Sequence, residues 1–297
     1  GCPMNIRLAN APVSWGIMEV EGWSPSLAAA QFLDELKRAG YAGTELGPYG
    51  FLPTDPAVLG EMLRVRGLAL ISAFVPLRLK EPRADLEPVR QVAALLQPLD
   101  AKHIVLADTL SPERASSAER KLGDTEWPIV AANVEAVARL SAKFGLRCVF
   151  HHHAGTYIET PEDIARLLEL TGIGLCLDTG HYVYGGGDPV EAVRLLGRRV
   201  EYLHLKDVHP QRLAEAHARG LSFLDSVRHG VFCPLGEGMV RFPDLFAELE
   251  RLGYDGWAVV EQDVDSSGGG PTAVECARQS REFLRSRLQE PGSMRCT

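Results

Sequence analysis

The 297-residue sequence has few cysteines and no apolar run long enough to cross a membrane. None of its six cysteines belongs to a Cys-x-x-Cys pair, so we predict reduced structural thiols, the usual state inside cells. No apolar stretch reaches the ~18 residues that a membrane span needs. The first residues lack a basic segment followed by an apolar one, so no secretion signal and a cytoplasmic location are expected.

The chain also lacks an excess of basic residues. Thirty-nine Asp and Glu oppose 31 Lys and Arg, which gives a formal net charge of −8. A phosphate backbone favours the opposite balance, so a nucleic-acid partner is disfavoured. The remaining composition, 45% apolar and 24% charged, is that of a globular protein and excludes disorder, collagen and coiled coil as the main organisation.

Short apolar runs alternate along the chain with longer stretches of helical spacing. The eight runs are Ile6–Ala9, Gly43–Leu46, Ala69–Phe74, His103–Leu106, Arg147–Phe150, Gly174–Leu177, Tyr202–Leu205 and Ala258–Val260. Runs that are apolar at nearly every position indicate parallel strands covered on both faces. The clearest helical stretches are Leu27–Ala39, Val130–Phe144, Ile164–Leu170 and Phe242–Leu252.

Helix-end signals support this alternation. Glycines follow four helical stretches, as C-terminal caps do, at Gly40, Gly67, Gly145 and Gly253. Eight strand–helix units predict an α/β fold, a single-domain (β/α)₈ TIM barrel at about 5–288, with a doubly wound open sheet as the alternative. Two long inserts, Asp108–Trp127 and His209–Arg241, are expected to be lids or ligand-binding loops.

Polar side chains that can bind a metal follow five predicted strands. They are Glu45, His151-His152-His153, Asp178-Thr179-Gly180-His181, His204-Leu205-Lys206-Asp207 and Glu261-Gln262-Asp263. Because active sites of such barrels lie at the C-terminal strand ends, we expect these groups to meet at one mouth. Imidazoles mixed with carboxylates suit Mn²⁺, Co²⁺, Zn²⁺ or Fe²⁺ better than Ca²⁺ or Mg²⁺. Taken singly, the motifs could instead be a core histidine cluster, a helix cap at Asp178 and an ion pair between Glu261 and Lys206.

These motifs, in this order, resemble the xylose isomerase-like superfamily of sugar isomerases and epimerases, which also includes endonuclease IV. The segment Asn10-Ala11-Pro12-Val13-Ser14-Trp15-Gly16, together with the histidine triplet, Gly155-Thr156 and Asp178-Thr179-Gly180-His181, is similar to the inosose dehydratases, the 2-keto-myo-inositol dehydratases of inositol catabolism. The resemblance runs from about Asn5 to about Leu288.

The resemblance implies one divalent metal ion, for which we expect Mn²⁺ or Co²⁺, with Zn²⁺ and Fe²⁺ as alternatives. Its implied ligands are a residue that ends strand five, followed by Asp178, His204 and Glu261. Many relatives have Glu there with His two residues later, whereas this chain has His151 and His153. We take His151 as the ligand, and His152 and Glu159 remain alternatives. Affinity is expected to rise between about pH 5.5 and 7.5, because protons compete for imidazole ligands.

Side chains for the chemistry follow from the same strand ends. A metal on the substrate's carbonyl would act as a Lewis acid while His153 or His181 removes the α-proton. Lys206 could polarise or protonate an oxygen, or else pair with Glu261 or Asp178. Substrate contacts are expected from Asn10, Trp15 and Glu45, although Trp15 could equally cover the barrel rim. Alternation along strand five predicts that His151 and His153 face the mouth and that His152 faces the barrel wall.

Three classes of function compete. A metal-dependent carbon–oxygen lyase, a dehydratase on a cyclic keto-polyol, is the first hypothesis, and a ketose isomerase or epimerase is the second. A nuclease is disfavoured by the net acidity, and a binding protein without activity is a further alternative. A small polyol or sugar is the expected partner, without nucleic acid or membrane, and the chain could form a homo-oligomer. Phosphorylated substrates are disfavoured because no Lys or Arg lies between Arg251 and Arg278.

Overall fold

Eight parallel strands close into a barrel, as predicted. The computed structural model describes residues 4–111, 121–265 and 270–288. The strands are β1 (Asn5–Asn10), β2 (Gly43–Glu45), β3 (Ala69–Leu77), β4 (His103–Asp108), β5 (Arg147–His151), β6 (Gly174–Asp178), β7 (Val200–Leu205) and β10 (Asp255–Val260). Around the barrel they follow the order β1-β10-β7-β6-β5-β4-β3-β2. Each predicted apolar run lies on one of these strands, and the open-sheet alternative is wrong because β1 pairs with β10.

Helices cover the outside of this barrel. They are α1 (Ala29–Arg38), α2 (Pro56–Arg64), α3 (Glu87–Leu96), α4 (Trp127–Lys143), α5 (Pro161–Leu170), α6 (Thr179–Tyr184), α7 (Pro189–Leu196), α8 (Pro210–Ala218), α9 (Phe223–Arg228), α10 (Phe242–Leu252) and α11 (Ala273–Arg285). Among the described residues, no helix is both long and apolar enough to cross a membrane. The four glycines expected after helices all adopt positive φ, between 63° and 95°. Thr160 and Asp163 form a capping box at the start of α5.

The insert His209–Arg241 is more ordered than the loop expected from sequence. It contains α8 and α9, and a short antiparallel ribbon pairs β8 (Asp207–Val208) with β9 (Phe232–Cys233). The buried Asp207 carboxylate accepts backbone N–H bonds from Gly236, Gly238 and Val240 at 2.9–3.0 Å. The insert is therefore fastened where it leaves and where it rejoins the barrel. In the other insert, Asp108–Trp127, residues 112–120 lie outside the described residues.

The core has two separate layers. A large apolar cluster lies between strands and helices, and a smaller one fills the barrel interior. The interior cluster consists of Ala9, Ala11, Ile71, Val105, Val149, Cys176, Tyr202 and Val259. Because strand side chains alternate, the residues two positions after Val149, Cys176, Tyr202 and Val259 also point inward, one level nearer the C-terminal end. That level carries the site.

Candidate active site

The inward alternation of four strands places the predicted ligands directly above the interior layer. His151 follows Val149, Asp178 follows Cys176, His204 follows Tyr202, and Glu261 follows Val259, each by two positions. All four are at most 7% exposed. A cavity of about 460 Å³ opens above them, and His151, His204 and Glu261 line it. The strand periodicity that builds the core therefore also builds this cluster.

The four predicted ligands form a continuous chain of contacts. His151 Nε2 lies 3.2 Å from Asp178 Oδ2, which lies 3.6 Å from His204 Nδ1. His204 Nδ1 is in turn 3.2 Å from Glu261 Oε2. Donor atoms that share one ion at about 2.1 Å lie roughly 3.0–3.4 Å apart, so these separations are close to those of a ligand set. The residue types and spacing fit a divalent cation.

Glu45 orients one of these ligands from below. Its Oε2 accepts hydrogen bonds from Ser72 Oγ and Tyr202 OH, both at 2.8 Å, and from His204 Nε2 at 3.1 Å. Because a carboxylate can only accept, His204 carries a proton on Nε2, and Nδ1 is the atom at which a second proton or a metal ion binds. That Nδ1 has no hydrogen-bond partner and faces Asp178 and Glu261. A histidine held by a carboxylate on its far nitrogen is the usual arrangement in metal sites.

Electrostatics at the cluster favour a cation. Burial alone lowers the pKa of His204, but Cys176, Glu261 and Glu45 hold it well above its usual range. Burial raises the pKa of Asp178, yet Lys206, His181 and the hydrogen bonds from His151 and His204 hold it well below its usual range. For Glu261, His204 and Lys206 outweigh burial and lower the pKa to about 2. The carboxylates are therefore ionised, and the field that retains a proton on His204 also attracts a metal ion.

Lys206 lies between three carboxylates at the side of the cavity. Its Nζ is 2.7 Å from Asp263 Oδ2, 3.4 Å from Glu261 Oε2 and 3.5 Å from Asp178 Oδ2. Burial opposes its charge, but Asp178 and the other carboxylates raise its pKa above the usual range. Gly180 makes this position available, because a Cβ there would lie 2.6 Å from Lys206 Cγ. The ion pairs that the sequence offered as an alternative therefore form, and Lys206 still lines the cavity.

The histidine triplet alternates as its strand position predicts. His151 and His153 line the cavity, whereas His152 does not. His152 Nε2 accepts the backbone N–H of Asp178 at 3.0 Å, and its ring packs edge-on against Tyr182. The sequence could show which way these residues face, but not this hydrogen bond across to β6.

His153 and His181 form a close pair of tilted rings beside the cluster. Their ring centroids lie 3.9 Å apart, and both side chains line the cavity. Burial lowers the pKa of His153 to about 3 and that of His181 well below its usual range. Both imidazoles are therefore neutral at ordinary pH, as a base must be.

Two predicted substrate contacts lie away from the cavity. Asn10 is buried, and its Oδ1 accepts the Ala11 N–H at 2.7 Å. Trp15 packs edge-to-face on Phe32 at 5.0 Å and belongs to the core cluster between strands and helices. Neither residue lines the cavity, whereas Glu45 does. Glu159, the alternative ligand, accepts the Gly155 N–H instead.

Sequence reasoning missed several cavity residues. Asp263 was noted only as part of a strand end, and Asp108 and Glu19 were not considered; all three line the cavity. Burial raises the pKa of Asp108 to about 6. Phe223 of α9 covers the histidine pair, with its ring 4.8 Å from His153. Its position depends on the fold of the insert, and no local pattern in the sequence shows that fold.

A family model described as "Xylose isomerase-like TIM barrel" matches residues 33–287. Known proteins also resemble this chain along most of its length. The rhizopine catabolism protein MocC of Rhizobium meliloti is 36% identical over 277 residues, 90% of this chain and 85% of MocC. An inosose dehydratase of Geobacillus kaustophilus is 32% identical, covering 94% of this chain and 93% of that enzyme. A crystal structure of IOLI protein with a bound zinc atom has a TM-score of 0.70 at 14% identity, covering 95% of this chain and 97% of that one.

Proposed function

This chain belongs to the xylose isomerase-like TIM-barrel family, and on that premise we propose that it is a dehydratase of a cyclic keto-polyol similar to 2-keto-myo-inositol. The observation that carries this proposal is the neutral His153–His181 pair directly beside a buried histidine–carboxylate cluster. The inosose dehydratase relative is named for a substrate of this kind. By this proposal, the carbon–oxygen lyase would take part in inositol breakdown.

One divalent ion is part of this proposal. His151, Asp178, His204 and Glu261 would hold it, with Mn²⁺ or Co²⁺ expected and Zn²⁺ or Fe²⁺ as alternatives. The ion would supply Lewis-acid polarisation of the substrate's carbonyl oxygen. The position of His204 Nδ1 supports this assignment, because the atom has no hydrogen-bond partner and lies between two carboxylates, where a metal ion would replace a proton.

The protein's own side chains supply the proton chemistry. A neutral imidazole of the His153–His181 pair takes the α-proton of the ketone, because it lines the cavity and has a lone pair on one ring nitrogen. Lys206, fixed by Asp263, donates hydrogen bonds to a substrate oxygen. Phe223 of α9 shields the histidines from water on their outer side.

The charge of the cavity restricts the substrate. Among the described residues, Lys206 is the sole Lys or Arg that lines it, and this ammonium is already paired with three carboxylates. Glu19, Glu21 and Asp108 add further acidic groups to the cavity lining. Phosphate or carboxylate groups on a substrate would meet repulsion there, so an uncharged polyol ketone is the expected substrate.

The alternative is a ketose isomerase or epimerase. It would use the same cluster and the same first step, and it differs in where the proton returns. The rings of His153 and His181 lie side by side, with centroids 3.9 Å apart, rather than across the cavity from each other, which favours chemistry on one side of the substrate over inversion between two sides.

The test incubates the Mn²⁺-loaded protein with 2-keto-myo-inositol and follows the ultraviolet absorbance of a conjugated product. We expect absorbance to grow with wild type and with His217→Gln, a control at an exposed residue of α8, and not with Asp178→Asn. Turnover of a ketohexose without any dehydration of the inosose would overturn the proposal in favour of the isomerase.

A further inference from the structure

The backbone of one residue, Ala154, contacts both histidines of this close pair. The carbonyl oxygen of Ala154 lies 2.7 Å from His153 Nδ1. The N–H of the same residue lies 3.0 Å from His181 Nδ1. One backbone acceptor and one backbone donor therefore each bind the Nδ1 atom of a different ring.

The carbonyl contact fixes the proton on His153. A carbonyl oxygen only accepts, so His153 Nδ1 must carry the hydrogen. In the neutral ring the second nitrogen, Nε2, then keeps its lone pair. His153 is the partly exposed member of the pair and lines the cavity, so this lone pair is available to a substrate.

The N–H contact fixes the opposite form of His181. A backbone N–H only donates, so His181 Nδ1 must be the acceptor and its hydrogen is on Nε2. That Nε2 has no hydrogen-bond partner although the residue is 1% exposed. Asp263 Oδ2 lies 3.6 Å from this Nε2, and a nearby carboxylate favours a nitrogen that carries a proton.

We infer that the backbone carbonyl and N–H of Ala154 set the two histidines in opposite tautomers, so that His153 is the base and His181 is a neutral hydrogen-bond donor. This division of labour rests on the proposed dehydratase function. It removes His181 from the candidate bases and makes the Ala154 backbone a positioning group, held by Thr156 Oγ1 on His153 O at 2.7 Å.

The elimination then balances on one histidine. His153 Nε2 takes the α-proton, and the C–H electron pair becomes the carbon–carbon bond of an enolate. As the enolate reforms the carbonyl, its electrons expel the β-hydroxyl, which takes the proton from His153 and departs as water. His181 donates its Nε2–H to a substrate oxygen throughout and keeps that proton, because losing it would leave an imidazolate.

The first test reads the tautomers without substrate. Protein with ¹⁵N-labelled histidine and bound Zn²⁺ is studied by ¹H–¹⁵N correlation at about pH 8, where both neutral forms can be distinguished. His153→Gln and His181→Gln assign the signals, and His217→Gln is the control that leaves both in place. We expect Nδ1–H on His153 and Nε2–H on His181; equal or reversed tautomers would overturn the inference, whatever the substrate is.

The second test separates proton removal from hydrogen bonding. In D₂O with 2-keto-myo-inositol, His153→Gln is expected to lose both α-proton exchange and elimination. His181→Gln, whose amide N–H replaces the Nε2–H, should keep exchange at a rate about 10²-fold lower, and His181→Asn, which lacks a donor there, should be slower still. Full exchange by His153→Gln, or none by His181→Gln, would contradict the assignment.

Discussion

The two ends of the barrel use the same strands in opposite ways. At the N-terminal end, Arg147 of β5 pairs with Glu201 of β7 through two contacts of 2.7 and 2.8 Å, and both side chains reach water. At the C-terminal end, His151 of β5 and His204 of β7 converge on Asp178 with almost no exposure. The outer pair satisfies itself, whereas the inner group leaves nitrogen atoms of His151, His181 and His204 without hydrogen-bond partners.

This difference shows where binding energy is available. A satisfied, solvated pair has little further affinity for a ligand, since water already competes for both partners. Buried nitrogens and carboxylates without full partners gain from any ligand that completes their coordination. We therefore expect substitutions at the C-terminal end to abolish function and those at the N-terminal end to change stability slightly.

The largest effect is expected from the carboxylate ligands. Asp178→Ala and Glu261→Ala should each lose bound metal and lower turnover by about 10³-fold or more, because the remaining groups cannot hold the ion. Metal analysis of protein purified without chelator measures the first effect and steady-state kinetics the second. If both variants retain full metal content, the proposed ligand set is wrong.

The histidine triplet should divide into three effects. His153→Ala is expected to lower turnover by about 10² to 10⁴-fold with metal retained. His151→Ala should weaken metal binding, with partial rescue by added metal, and His152→Ala should mainly lower thermal stability because it removes the hydrogen bond to Asp178 N. Metal content, turnover and melting temperature of the three variants distinguish these roles. Loss of metal in His152→Ala alone would reverse the assignment of His151 and His152.

Metal affinity should depend on pH in a direction fixed by His204. Its raised pKa means that a proton competes with the ion, so affinity rises as pH rises. Since the anionic neighbours hold that pKa well above the usual value, the rise should continue above the window of about pH 5.5 to 7.5 expected for ordinary histidines. Titration calorimetry with Mn²⁺ across pH would show this. Affinity that is flat above pH 7.5 would contradict ligation by His204.

The smallest effect is expected at the opposite end. Arg147→Ala removes the pair with Glu201, and because both side chains are solvated the free energy of unfolding should fall by only about 0.2–1 kcal/mol. Metal content and turnover should equal those of wild type. A loss of activity comparable to that of His153→Ala would show that the two ends are not independent.

Much of this architecture follows from local patterns in the sequence. All eight strands were predictable because buried parallel strands are continuously apolar, and the strand ends then located His151, Asp178, His204 and Glu261. The sequence offered Trp15 as a substrate contact, but an aromatic residue beside a strand end suits a core as well, and in the structure Trp15 packs on Phe32. Asp263 and Phe223 could not be assigned to the site from the sequence. Their roles depend on contacts with distant elements, of Asp263 with Lys206 and of Phe223 with His153, which no spacing along the chain shows.

The Asp207 carboxylate holds both ends of the His209–Arg241 insert at one point. This anchoring makes the insert a separate module of the fold. Its entry and exit are held by a few backbone hydrogen bonds, while the metal-ligand candidates belong to the barrel strands. Positions of this segment other than Phe223 and Phe232, which contact His181, can therefore change in length or side chains while the ligand candidates keep their places on the strands. Exchange of this module between related barrels would therefore change the substrate preference, while His153 and Lys206 at the ends of the barrel strands keep the acid–base chemistry.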